Sequence, residues 1–167
     1  MTGDPTPFTA ADLAEHTALG EALLTLNNAH AAELSWLSPD RFRRLVAAAL
    51  AASRIGEADA LLIAFDQAAD YDSPNFLWFR ARFERFVYVD RVVVAADARG
   101  HGLARRLYLD LLERALDAGH DRIVCEVNAA PPNPASDAFH VRLGFTQVGV
   151  GSLPGGKTVS YLLRPLR

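Results

Sequence analysis

VVVAADARGHGLARRLY, residues 92–108, passes from a β-branched run through a glycine-bearing loop into a helical pattern. The run belongs to FVYVDRVVVA, Phe86 to Ala95, whose β-branched and aromatic content predicts the strongest strand in the chain. Alternation sets Tyr88, Asp90, Val92 and Val94 on one face, with Val89, Arg91 and Val93 on the other. Past the loop, Leu103, Leu107, Tyr108, Leu111, Leu112 and Ala115 share one side of a helix that Gly119 ends. A strand-to-helix junction of this kind presents unpaired backbone N–H groups and the positive end of a helix dipole, which together attract a pyrophosphate. Gly100 and Gly102 leave room for a phosphate to come close, and Arg99, Arg105 and Arg106 add positive charge around it.

Downstream of the junction, Ile123 to Val127 reads as a strand. Ser136 then caps a short helix that runs through Leu143 and stops at Gly144, and FTQVGV and KTVSYLL are two strands joined by the turn GSLPGG. Upstream, Ala60 to Phe65 reads as a buried strand, and Phe76 to Phe83 is ambiguous between a strand and a helical turn. Two helices come first. One runs from Ala10 to about Asn28 behind the cap pair Thr9 and Asp12. The other starts at Ser38-Pro39, shows Phe42, Leu45, Val46, Ala49 and Leu50 on its apolar face, and stops at Gly56. Only Phe8 and its neighbours could supply an earlier strand. This order predicts a single α/β domain over residues 1–167, with a mixed central sheet flanked by helices.

Composition sets the outer limits. The chain has 167 residues, half of them hydrophobic and 22% charged, which suits one globular core. A formal charge of −3 gives no footprint for nucleic-acid binding. One cysteine, Cys125, excludes an internal disulfide framework and points to a reducing, cytoplasmic setting; mid-strand among apolar residues it reads as an inert hydrophobe. The first residues lack the basic region of a signal peptide, and no apolar stretch approaches the ~18 residues that span a bilayer. His16, His30 and His120 show no metal-like spacing, so no metal site is expected.

Which phosphate ligand the loop takes depends on its neighbours. No Gly-x4-Gly-Lys-Ser/Thr string exists, and the dinucleotide fingerprint would need a third glycine where Arg105 stands. Arg99-Gly100-His101-Gly102-Leu103-Ala104 instead fits the R/Q-x-x-G-x-G/A signature of the GNAT superfamily of N-acetyltransferases. Asn133-Pro134-Ala135-Ser136-Asp137-Ala138-Phe139-His140, leading to Leu143-Gly144-Phe145, resembles that family's Asn-containing helix entry and its closing LGF. The resemblance covers roughly Phe86 to Leu163. It implies a sheet with two splayed strands holding acetyl-CoA, and no metal cofactor. The pyrophosphate would rest on the amides from Arg99 through Ala104 (His101 a phosphate neighbour or a solvated side chain), and the pantetheine arm would pair with backbone near Val92 to Val94. Asn133 would lie near the CoA, with Asn128 a second candidate for that role.

The implied chemistry is direct attack of an amine on a thioester, which needs a proton acceptor, an oxyanion donor and help for the leaving thiolate. The resemblance places the oxyanion donor at the N–H near Val94. Asp90, four residues earlier on the same face, stands where relatives carry a base; the alternative is an ion pair with a nearby arginine. An aspartate of ordinary pKa about 3.9 serves such a reaction only if burial raises it, through water, or by binding the ammonium. His140 occupies the position of the family's acidic tyrosine, either as proton donor or as a neighbour packed beside the thiol.

Residues 86–163 are thus expected as the CoA-binding core and 1–85 as the acceptor-side half. In that half LNNAHAAELSWLSP and DYDSPNFLWFRARF offer Asn27, Asn28, Glu33, Ser35 and Trp36, then Asp72, Ser73, Asn75, Trp78 and Phe79, as walls for an amine, small molecule or peptide. For any single aromatic among them the alternative is a place in the core. Two other functions stay open: a module that holds acyl-CoA without turnover, and a transferase of a larger acyl group. Homodimers are common in the family, and no sequence feature here establishes one.

Overall fold

The computed structural model describes residues 3–32 and 34–167. Along the chain come β1 (Thr6–Pro7), α1 (Ala18–Asn28), α2 (Pro39–Ala48), β2 (Ala51–Ile55), β3 (Ala60–Asp66), α3 (Pro74–Arg80) and β4 (Val87–Val94). They are followed by α4 (Leu103–Asp117), β5 (Arg122–Ala130), α5 (Pro134–Arg142), β6 (Thr146–Ser152) and β7 (Thr158–Pro165). The strands form one sheet in the order β1-β2-β3-β4-β5-β7-β6. Its β4–β5 pair is parallel, while β1–β2, β2–β3, β5–β7 and β6–β7 are antiparallel, so the sheet is mixed, as the element order predicts. By contacts the chain forms two compact units. One holds the described residues through Phe65 with Val89–Arg114; the other holds Asp66–Tyr88 with Ala115–Arg167.

In the first unit the expected helix from Ala10 to Asn28 is two pieces. A 3₁₀ turn, Ala10–Leu13, is closed by Thr9 donating its N–H to Asp12 Oδ2 at 2.8 Å. The chain then turns at His16, whose φ is +62°, and Thr17 caps α1 by accepting the Gly20 N–H. Helix α2 starts as the Ser38-Pro39 pair predicts, with Ser38 accepting from the Arg41 N–H. It stops at Ala48, well short of Gly56, with Ala49 half-buried and Leu50 exposed. Ala51–Ile55 is strand β2, paired residue for residue with Ala60–Ala64. Its alanines favour helix, but ladder bonds to a fully buried neighbour outweigh a propensity difference of at most about 0.7 kcal/mol per residue. Phe8 and its neighbours do supply the first strand: β1 pairs Thr6 with Arg54. Leu103, Leu107, Tyr108, Leu111 and Leu112 of α4 are all buried, as its period requires.

In the second unit the ambiguous aromatic segment is helix α3, opened by Pro74 in its first turn. Its inward residues Phe76 and Phe79 meet Phe86 and Tyr88 at ring separations of 5.7–6.3 Å in tilted and edge arrangements. Of the two alternatives left open for Phe76–Phe83, the helical one holds. The cap of α5 is Asn133, whose side chain accepts the Ser136 N–H, so the sequence assignment of Ser136 as cap is corrected. Cys125 is buried in β5.

Candidate functional site

The phosphate-loop candidates lie together in the first unit. Ala95, just past β4, donates its N–H to the Asp59 carbonyl at 2.8 Å, and a 3₁₀ turn at Ala96–Ala98 leads to Arg99 in extended conformation. Gly100 and Gly102 follow with φ of +81° and +72°, a region that L side chains rarely adopt. A Cβ at either position would meet nothing within 4 Å, so backbone conformation demands these glycines and the space before them is open. The loop empties into α4, whose first-turn N–H groups have no intrahelical acceptor. His101 is exposed and its Nδ1 donates to the Ala98 carbonyl at 3.2 Å. Arg106 reaches Asp4 at 3.1 Å, Arg99 reaches His30 Nε2 at 3.1 Å, and Arg105 is exposed.

On β4 the burial alternates as expected, with Val89, Arg91 and Val93 buried and Asp90, Val92 and Val94 less so. The β4–β5 register covers Val87↔Ile123 and Tyr88↔Val124; Asp90, Val92 and Val94 lie past it on an eight-residue strand. Asp90 accepts from Arg91 Nε at 2.9 Å. That buried guanidinium also donates to Asn27 Oδ1 at 2.7 Å and to Ser35 Oγ at 3.3 Å. Asn27 is wholly buried and donates onward to Asn28 Oδ1 and the Ser35 carbonyl. Asn28 both donates to the Leu37 carbonyl and accepts the Leu37 N–H at 2.9 Å, which staples the connector between α1 and α2. Asn27, Asn28 and Ser35, offered above as acceptor walls, are thus engaged in structure. Trp36 is 66% exposed, and Glu33 lies outside the described residues.

The second unit holds the remaining candidates. His140 is buried between Phe139 and Phe145, both edge-on at 5.2 Å. Its Nδ1 lies 2.7 Å from the Ser136 carbonyl, which can only accept, so that nitrogen carries the proton and Nε2 the lone pair. Burial pushes its pKa below the usual 6.5, opposed by the Ser136 bond and Asp137. Asn128 is half-buried near the end of β5, and Asn133 spends its side-chain oxygen on the α5 cap.

One carboxylate passed over in sequence stands out. Glu126, on β5, accepts from Tyr88 Oη at 2.8 Å and from Asn75 Nδ2 at 3.0 Å. Asn75 Oδ1 accepts from Tyr161 Oη at 3.0 Å, so both ends of its amide are committed and its orientation is set by chemistry. Burial, with the Glu126 charge, pushes the Tyr161 phenol above 10, keeping it a donor. Tyr161 stacks on Trp78 at 4.1 Å and 19°, and the Arg82 guanidinium lies 3.9 Å above Trp78. Phe79 is core, while Asp72 is exposed and Ser73 half-buried. The signal available for Glu126 was an acid inside the otherwise apolar strand IVCEV.

Among the described residues no cluster of metal-ligating side chains occurs, and no helix is long and apolar enough to cross a membrane. Residues 70–145 match the model of the Acetyltransferase (GNAT) family. The whole chain resembles solved structures of such enzymes. The ribosomal-protein-S18-alanine N-acetyltransferase of Escherichia coli aligns at TM-score 0.68 and 17% identity, over 99% of this chain and 94% of that one. An N-acetyltransferase of Staphylococcus aureus Mu50 aligns at 0.70 and 15%, covering all of both chains. A phosphinothricin acetyltransferase of Sinorhizobium meliloti, in complex with acetyl-CoA, aligns at 0.69 and 18%, over 99% and 89%. No curated protein matches the sequence.

Proposed function

We propose that the chain, whose residues 70–145 match the Acetyltransferase (GNAT) family model and whose fold is that of such enzymes, moves an acetyl group from acetyl-CoA to a primary amine by direct attack. The observation that carries this reading is the loop Arg99–Ala104, with two positive-φ glycines facing open space at the head of α4. In the proposal its amides, with Arg99 and His101 beside them, hold the pyrophosphate. Backbone from Val92 to Val94 pairs with the pantetheine arm, and an N–H near Val94 holds the oxyanion. Asn128 and Asn133 serve as further CoA contacts, Asn133 through its side-chain amide nitrogen.

For proton handling the two carboxylates differ. Asp90 is paired with the Arg91 cation, which favours the ion-pair reading left open by the sequence. Glu126 accepts from the neutral donors Tyr88 and Asn75 in the bonds described. We therefore assign it the proton from the attacking amine, directly or through water. His140, neutral with its proton on the Ser136 carbonyl, fits packing beside the thiol better than protonating it. The acceptor is an amine of a small molecule or of a peptide, and the whole chain acts as one catalytic domain of the cytoplasm.

The test is calorimetric titration with acetyl-CoA of the parent and of Gly102→Glu, which puts bulk and negative charge where φ is +72°. Micromolar binding by the parent, lost in the folded variant, is the expected result. A folded parent that binds no acetyl-CoA refutes the proposal.

A further inference from the structure

Resting on the CoA reading above, the geometry points to His30 as a positioning residue for the phosphate-binding Arg99. His30 lies two residues past the end of α1, far in sequence from the loop. Its Nδ1 lies 3.1 Å from the Leu26 carbonyl in the last turn of that helix. A carbonyl can only accept, so Nδ1 carries the proton, and the bond satisfies one of the carbonyls a helix end leaves open. Nε2 is then the accepting nitrogen, and Arg99 Nη2 donates to it at 3.1 Å. The two contacts agree on one tautomer. A neutral imidazole here relays the fixed position of a helix end to a flexible cation.

The helix end is itself fixed. Asn27, next to Leu26, is wholly buried and held by the Arg91 guanidinium, and Asn28 is doubly bonded to Leu37. Arg99 by contrast is exposed and carries the rotamer freedom of its type. Using one N–H on His30 leaves the rest of its five donors for a phosphate. The relay adds no charge, so what it supplies is orientation. Immobilising one such side chain in advance corresponds to roughly five- to tenfold in affinity.

The ligand chemistry is a CoA phosphate, either the pyrophosphate or the 3′-phosphate monoester. Calorimetric titrations with CoA and with 3′-dephospho-CoA are run on the parent, His30→Ala, Arg99→Ala and the double variant. The relay predicts CoA binding about five- to tenfold weaker in His30→Ala, and no further loss when that change is added to Arg99→Ala. Partial recovery is expected in His30→Gln, whose amide oxygen can accept from the guanidinium; His30→Leu, which cannot accept, stands in if the alanine change prevents folding. A loss seen with both ligands places Arg99 on the pyrophosphate, and a loss confined to CoA places it on the 3′-phosphate; either supports the relay. Unchanged affinity in His30→Ala, or the same loss repeated in the Arg99→Ala background, overturns it while CoA binding stands. A parent that binds neither ligand refutes the cofactor reading itself, and the relay with it.

Discussion

Replacing Asn27 by alanine removes the shorter of the two side-chain bonds that tie the Arg91 guanidinium to α1 and the connector after it, Ser35 Oγ accepting the other. Its 2.7 Å bond from Arg91 Nη1 is charge-assisted, and its amide nitrogen makes two more bonds, to Asn28 and Ser35. With Asn27 wholly buried and Arg91 6% exposed, water cannot readily replace the lost acceptor. Stranding a buried cation's N–H and losing two neutral bonds costs on the order of 3 kcal/mol. At a urea m-value of about 2 kcal/mol per molar, the unfolding midpoint should fall by roughly 1.5 M with m unchanged. Asp121→Asn, which breaks the surface pair with Arg122, is the control and should move stability by less than about 1 kcal/mol. A midpoint for Asn27→Ala that shifts no more than this control would mean that Arg91 is solvated, and the anchoring described for the connector would be wrong.

Three further outcomes are expected. His120 and His140 are both buried with pKa values below 6.5, chiefly through desolvation, so above pH 6.5 neither state carries their protons. As pH falls below 6.5 the unfolded chain takes them up first. Unfolding free energy should then drop by up to about 1.4 kcal/mol per pH unit for each histidine, and urea melts of His120→Gln between pH 7 and 5 should show a shallower fall. Glu126→Gln should slow transfer by about a hundredfold or more, measured by thiol release with an acceptor found by screening, and leave acetyl-CoA affinity within twofold. His140→Gln should keep most of the rate, and a hundredfold loss there would return the proton to His140.

Strand β4 and helix α4 were readable because each repeats its own period over a long stretch, and neighbours only confirm the pattern. β2 was not readable: Ala51, Ala52 and Ser53 look helical until the buried β3 lies beside them. Asn133 was readable and missed, since Pro134 after it repeats the logic that identified Ser38 before Pro39. The phosphate loop is local and its residues appear together in the chain. Glu126 depends on Asn75 and Tyr88, 51 and 38 residues away, and His30 on Arg99, 69 residues away. No local pattern records such pairings, because only the folded chain brings them about.

The glycines of β6 work as a key for its alignment. A Cβ at Gly149 would stand 2.5 Å from the Trp78 ring, and one at Gly151 would stand 2.5 Å from the Tyr161 hydroxyl. Between and beside them Val148 and Val150 face outward, 40% and 65% exposed. A slide of one residue against β7 would turn the valines onto the two rings, where no methyl group fits. An edge strand with free backbone on its outer side is prone to such slips. Here the blank positions admit one alignment, and the stacked pair reads it.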